Sequence, residues 1–145
     1  MKHFSIKIYI LLLLLLPLLS ACGGGNPEIS VVDAWVRPDP LMENAAGYMT
    51  ILNSGRQSDY LIGVKVDFAG MASAHETQID GDLHKMVPVK RLEIPAGGQV
   101  IFQPLSYHVM IMMLKEELTY GEFVTVILEF EKSGEITAQA EVRKE

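Results

Sequence analysis

Beyond an unbroken apolar stretch near its start, the chain alternates short apolar runs with turn residues and never settles into a helical period. The runs are rich in β-branched and aromatic side chains, the pattern of strands in an all-β sandwich or barrel. Strands are expected over 29–36, 47–52, 60–67, 72–77, 84–87, 99–102, 108–114, 123–131 and 136–142. Turns are expected at Arg37-Pro38-Asp39-Pro40, Asn53-Ser54-Gly55, Asp80-Gly81-Asp82, Pro95-Ala96-Gly97-Gly98 and Ser133-Gly134. Asp80-Gly81 and Gly97-Gly98 form turns readily because glycine reaches positive φ without steric cost. The expected architecture is one antiparallel β-sandwich of seven to nine strands with Greek-key connections. In the segment after Gly121, the residues Phe123, Val126, Leu128 and Phe130 are read as one apolar set, with Thr125 and Glu129 opposed. Val124 and Ile127 spoil the alternation, so a central strand covered on both faces is expected there. Trp35, the lone tryptophan, is read as a core anchor.

The leading stretch stands apart from this pattern. Lys2, His3 and Lys7 form a basic head, followed by an apolar run from Ile8 to Leu19. That run is short for a bilayer span, which needs about 20 residues, and reads as a signal peptide. Leu19-Ser20-Ala21-Cys22 is similar to a bacterial lipobox, whose cysteine is lipidated and becomes the new N-terminus. The chain then divides into a signal peptide at 1–21, a lipidated Cys22 with a Gly-rich tether to 27, and one domain from 28 to 145. Cys22 is the only cysteine, so its lipidation leaves no disulfide, no thiolate ligand and no thiol nucleophile. Loss of Lys2 and Lys7 takes the net charge from −6 to −8. An acidic surface disfavours nucleic acid and favours solubility or a basic protein partner. The expected location is extracytoplasmic and lipid-anchored, in the periplasm or on the outer face of the cell membrane.

Candidate chemistry lies in one spacing: His75, ten residues, Met86, twenty-one residues, then His108-Val109-Met110. Imidazoles suit several metals, whereas thioethers select for soft ions such as Cu(I). In a strand, His108 and Met110 emerge side by side on one face. Met112 continues that face as a packing residue or spare thioether, and Met113 is expected in the core with Val109 and Ile111. If the Asp80-Gly81-Asp82 turn closes a hairpin, His75 and Met86 approach each other across it. Chemistry alone leaves a metal site and four incidentally placed residues both open. His84, two residues before Met86, is either an auxiliary ligand or a surface residue. Glu76 is either an acceptor that orients the His75 ring or a solvated carboxylate.

The span from Ala34 to Leu128 resembles the PCu(A)C periplasmic copper chaperones, also known as the DUF461 family. Their histidine, ten residues, methionine, twenty-one residues, histidine-x-methionine pattern is matched by His75, Met86, His108 and Met110. Ala34-Trp35-Val36-Arg37, Ala45-Ala46-Gly47-Tyr48-Met49, His75-Glu76-Thr77, Asp80-Gly81-Asp82 and Tyr107-His108-Val109-Met110 are similar to the family as well. Two departures touch the approach to the site. Pro104-Leu105-Ser106 stands where the family often has Pro-Gly-Gly, and Met113 stands where a small residue is common. The resemblance implies a cupredoxin-like β-sandwich that binds Cu(I) near its surface and passes it to a copper-accepting protein. The acceptor so implied is the binuclear copper centre in subunit II of cytochrome c oxidase, with a thioredoxin-like assembly factor as another participant.

Four neutral ligands leave Cu(I) its single charge. Protons compete only through the histidines, so copper affinity is expected to fall below about pH 6.5, where free imidazole protonates. Enzymatic readings find little support. There is no cysteine for a blue-copper site, and Ser106 and His108 lack an acid partner for nucleophilic catalysis. Asp80-Gly81-Asp82 is too short for a calcium loop. The competing class is a lipid-anchored scaffold or adhesion domain with incidental histidines.

Overall fold

The computed structural model describes residues 25–144. The signal peptide, Cys22 and the first tether glycines lie outside them. The described chain forms ten strands: β1 (Ile29–Pro38), β2 (Asn44–Asn53), β3 (Asp59–Val66), β4 (Ala69–Asp80), β5 (Leu83–Pro88), β6 (Leu92–Ile94), β7 (Gln99–Phe102), β8 (Tyr107–Leu114), β9 (Phe123–Phe130) and β10 (Gly134–Val142). All nine expected strands are present. β6 is the addition: three residues between Arg91 and Pro95 carry too little pattern to be read, and pairing with β3 makes them a strand. β2 and β4 also start three residues earlier than expected. Their extra residues include Ala45, Ala46, Ala69 and Gly70, weak strand formers that are held extended by β8.

The strands form one sheet in the order β5-β4-β8-β7-β2-β1-β10-β9-β3-β6, with β8 also bonded to β2. The sheet folds over so that β3 packs against β4. Most neighbours are antiparallel, but β1 with β10 and β7 with β8 run parallel. The β1/β10 pair joins the two ends of the domain, which local patterning does not reveal. Val36, Ile51, Ile94, Val109, Ile111 and Leu128 are fully excluded from water and centre the core.

Burial departs from expectation at several positions. Phe123 is 64% exposed, because strand parity groups it with Thr125 and Ile127 rather than with buried Val126, Leu128 and Phe130. The other face of β9 is only half-buried, so that strand is not covered on both sides. Met113 is exposed and has φ 59°, turning out beyond the core that holds Val109 and Ile111. Trp35 is half-buried and lies on Tyr48, ring centroids 4.5 Å apart.

Two buried polar side chains fix the connections. Asn53 accepts from the Glu28 and Gly55 amides through Oδ1, and its Nδ2 donates to the carbonyls of Gln57 and Ile94. The Arg56 amide also donates to the Asn26 carbonyl at 3.3 Å, so the end of the expected tether is attached to the domain. Fully buried Asp59 accepts from the amides of Tyr60, Lys132 and Ser133 at 2.7 to 2.9 Å. Burial opposes its charge, yet its carboxyl is held below the ordinary aspartate value. The three amides explain that direction, since the Ser133 hydroxyl has no partner of its own.

Candidate metal centre

β4 lies between β5 and β8, and register decides which side chains meet. His75 stands directly opposite His108, Ser73 opposite Met110, and Thr77 opposite Met86. Strand alternation therefore places His75, Met86, His108 and Met110 on one face, with Thr77 and His84. Asp80 pairs with Leu83 and Gly81 has φ 58°, so the expected turn does close a two-residue hairpin. Met86 is diagonal to His75 rather than opposite it, since Pro88 takes the opposing position.

The two imidazoles are buried, 8% and 6% exposed, with ring centroids 6.0 Å apart and planes inclined by 23°. Each is oriented by the backbone two residues earlier. His75 Nδ1 is 3.2 Å from the Ser73 carbonyl, and His108 Nδ1 is 3.1 Å from the Ser106 carbonyl. A carbonyl only accepts, so each Nδ1 carries the proton and each Nε2 presents its lone pair. Among the described residues His108 Nε2 is buried without a hydrogen-bond partner, a costly state unless the atom serves as a ligand. This anchoring was not visible in the sequence, because it depends on backbone rather than side-chain acceptors. Glu76 is not the acceptor for His75. It pairs with Tyr107 on the opposite face, and burial together with its negative charge pushes the Tyr107 phenol upward.

A concavity of about 260 Å³ opens over this face. Met86, His108 and Met110 line it, along with Thr77, His84 and Leu105; His75 is not among the lining residues and stacks beside His108. Met86 is 56% exposed and Met110 is half-buried. The opening is therefore graded, from a wet thioether at the rim to a dry imidazole inside. Among the described residues no three His, Cys, Asp or Glu side chains gather as a metal-ligating group. A metal site here needs thioethers, and that requirement selects a soft ion.

The rim carries strain. Pro104 and Leu105 occupy the centre of a turn in which the Ser106 amide donates to the Gln103 carbonyl at 3.2 Å. Leu105 has φ 61°, the left-handed value that favours glycine at this turn position. It is 61% exposed and borders the concavity. The Ser106 carbonyl that follows binds His108 Nδ1 and also accepts from the Thr77 amide at 3.1 Å. The turn thus links the His108 tautomer to the strand that bears His75.

Residues 29–142 match the family described as "Putative lipoprotein LpqE-like". The chain is 30% identical over 99 residues to an uncharacterized protein of Rickettsia prowazekii, covering 65% of this chain and 55% of that one. It is 29% identical over 103 residues to a protein of Leifsonia xyli subsp. xyli that is named as a lipoprotein, covering 70% and 61%. The match therefore spans less than two thirds of either relative. Among solved structures, the copper-bound PCuAC domain from PmoF2 superposes with a TM-score of 0.69 at 26% identity, covering 81% of this chain and 93% of that one. The Cu(I) form of DR1885 from Deinococcus radiodurans gives 0.66 at 30% identity, covering 86% and 83%. The all-β sandwich expected from the strand pattern, and the cupredoxin-like form of it that the family resemblance implies, is the fold of those domains.

Proposed function

The chain belongs to the LpqE-like family, and from that premise we propose that it is a copper metallochaperone, a non-enzymatic carrier that holds Cu(I) and hands it on. His75, Met86, His108 and Met110 are the ligands in this reading. The observation that carries it is the buried, partnerless Nε2 of His108, in a concavity also lined by the thioethers of Met86 and Met110. Two structural neighbours, the copper-bound PCuAC domain from PmoF2 and the Cu(I) form of DR1885, support copper as the cargo.

Loading needs little rearrangement at His108. Its tautomer is set by the Ser106 carbonyl, so binding releases no proton from Nε2. Neutral donors leave the ion as a monocation, and the half-wet rim lets an incoming protein exchange ligands one at a time. A closed structural site would lack that exit. The chaperone works outside the cytoplasm, anchored through a lipid on Cys22. Its acceptor is a copper-accepting protein. The family resemblance directs that role to the binuclear copper centre of cytochrome c oxidase subunit II, or to a thioredoxin-like assembly factor.

The test is anaerobic Cu(I) competition against a chromophoric chelator, comparing the chain with its Met86→Ile/Met110→Ile variant. One-to-one binding that the variant loses while its circular dichroism stays unchanged is expected. Equal, weak binding by both would sink the carrier reading and leave a lipid-anchored β-sandwich scaffold.

A further inference from the structure

His84-Lys85-Met86 repeats the His-x-Met spacing of His108-Val109-Met110. On β5, His84 and Met86 project from the same face, about 6.8 Å apart along the strand, as His108 and Met110 do on β8. Both pairs line the same concavity, and His75 does not. They differ in access: His84 and Met86 are exposed, His108 is buried and Met110 half-buried. Among the described residues β5 is also an edge strand, paired only with β4. An incoming ion or copper complex therefore meets the β5 pair first.

We propose that His84 is a copper ligand of the rim, forming with Met86 an outer His-x-Met pair that captures Cu(I) and shares it with the inner pair His108 and Met110. This rests on the carrier reading above. Cu(I) accepts low coordination numbers, so an imidazole and a thioether suffice to hold it at the rim. Transfer inward is ligand exchange: Met86 stays bound, the His84–copper bond breaks and the bond to His108 Nε2 forms. No electron moves, and no proton need leave His108, whose Nδ1 carries it. The reverse order delivers the ion to an acceptor at the rim. A merely solvated histidine has no reason to share the wall of this concavity with three candidate ligands. The spacing alone left His84 undecided; its place in that wall distinguishes it.

Long-range proton–nitrogen spectra of the full chain, titrated anaerobically with Cu(I), test the assignment because Cu(I) is diamagnetic. A ring nitrogen of His84 is expected to shift within the first equivalent, together with His108. His84→Gln, at an exposed position, is expected to keep the fold and slow copper exchange with a chelator severalfold. If His75 and His108 respond while His84 does not, the carrier stands and the outer pair is overturned. A His84 response beginning only after the first equivalent marks a separate surface ion and overturns the pair too, as does an unchanged exchange rate in His84→Gln. If no imidazole responds, the carrier reading itself fails.

Discussion

Single side chains in this molecule act mainly through backbone groups. Serine carbonyls orient both site histidines, and backbone amides hold Asp59 charged. Asp59 gives the fold an acid-sensitive element. Its folded carboxyl titrates below the ordinary value, so as pH falls the unfolded chain takes up the proton first. The stabilisation is full above the ordinary aspartate range, about pH 4, and is lost as pH falls through the lowered folded value. Asp59→Asn replaces a charged acceptor with an amide that points a donor at another donor. It is expected to cost about 2 kcal/mol at neutral pH and to flatten the acid loss, as read by urea unfolding at pH 7 and pH 3. Equal pH dependence in both proteins would remove Asp59 from that role.

Among the elements, the β4–β5 hairpin matters most to the site, since it carries His75, Met86 and His84. Its turn depends on Gly81 at φ 58°. A β-branched residue there adopts a left-handed conformation at a cost of about 1–2 kcal/mol. Gly81→Val is therefore expected to loosen β5, which has no second neighbour among the described strands, and to weaken Cu(I) binding severalfold. His108 and Met110 stay in place on β8, so residual binding should persist, unlike in the double methionine variant. Complete loss of binding in Gly81→Val would mean that the hairpin also sets the inner pair. Lys85 and Pro88 on β5 keep this open edge from pairing with another sheet.

At the scale of the whole molecule, the proposed ligand set would let copper tie the edge of the sheet to its interior. Among the described strands β5 bonds only to β4, whereas β8 bonds to β4, β7 and β2. Local opening is easiest where few neighbours hold a strand. An ion bridging Met86 to His108 and Met110 is expected to slow amide exchange in β5 well beyond any change in β9 or β10. Saturating Cu(I) should also raise stability by about 4 kcal/mol at a thousandfold excess over Kd, seen as a higher Tm. Copper that left β5 exchange unchanged would be bound without Met86.

The strand positions, the all-β class and the spacing of the candidate histidines and methionines were legible in the residues, because alternation, turn glycines and a His-x-Met pair are local signals. Parity along the chain also contains the outward face of Phe123, although mixing odd and even positions obscured it. What only the tertiary structure decided is relational. Pairing of β8 with β4 sets His75 against His108, hairpin register puts Met86 opposite Thr77, and the β1/β10 pair joins the ends of the domain. Burial of His108 and the carbonyl beneath each imidazole follow from those pairings. Each depends on which distant backbone comes alongside, and one strand's composition does not encode its neighbour.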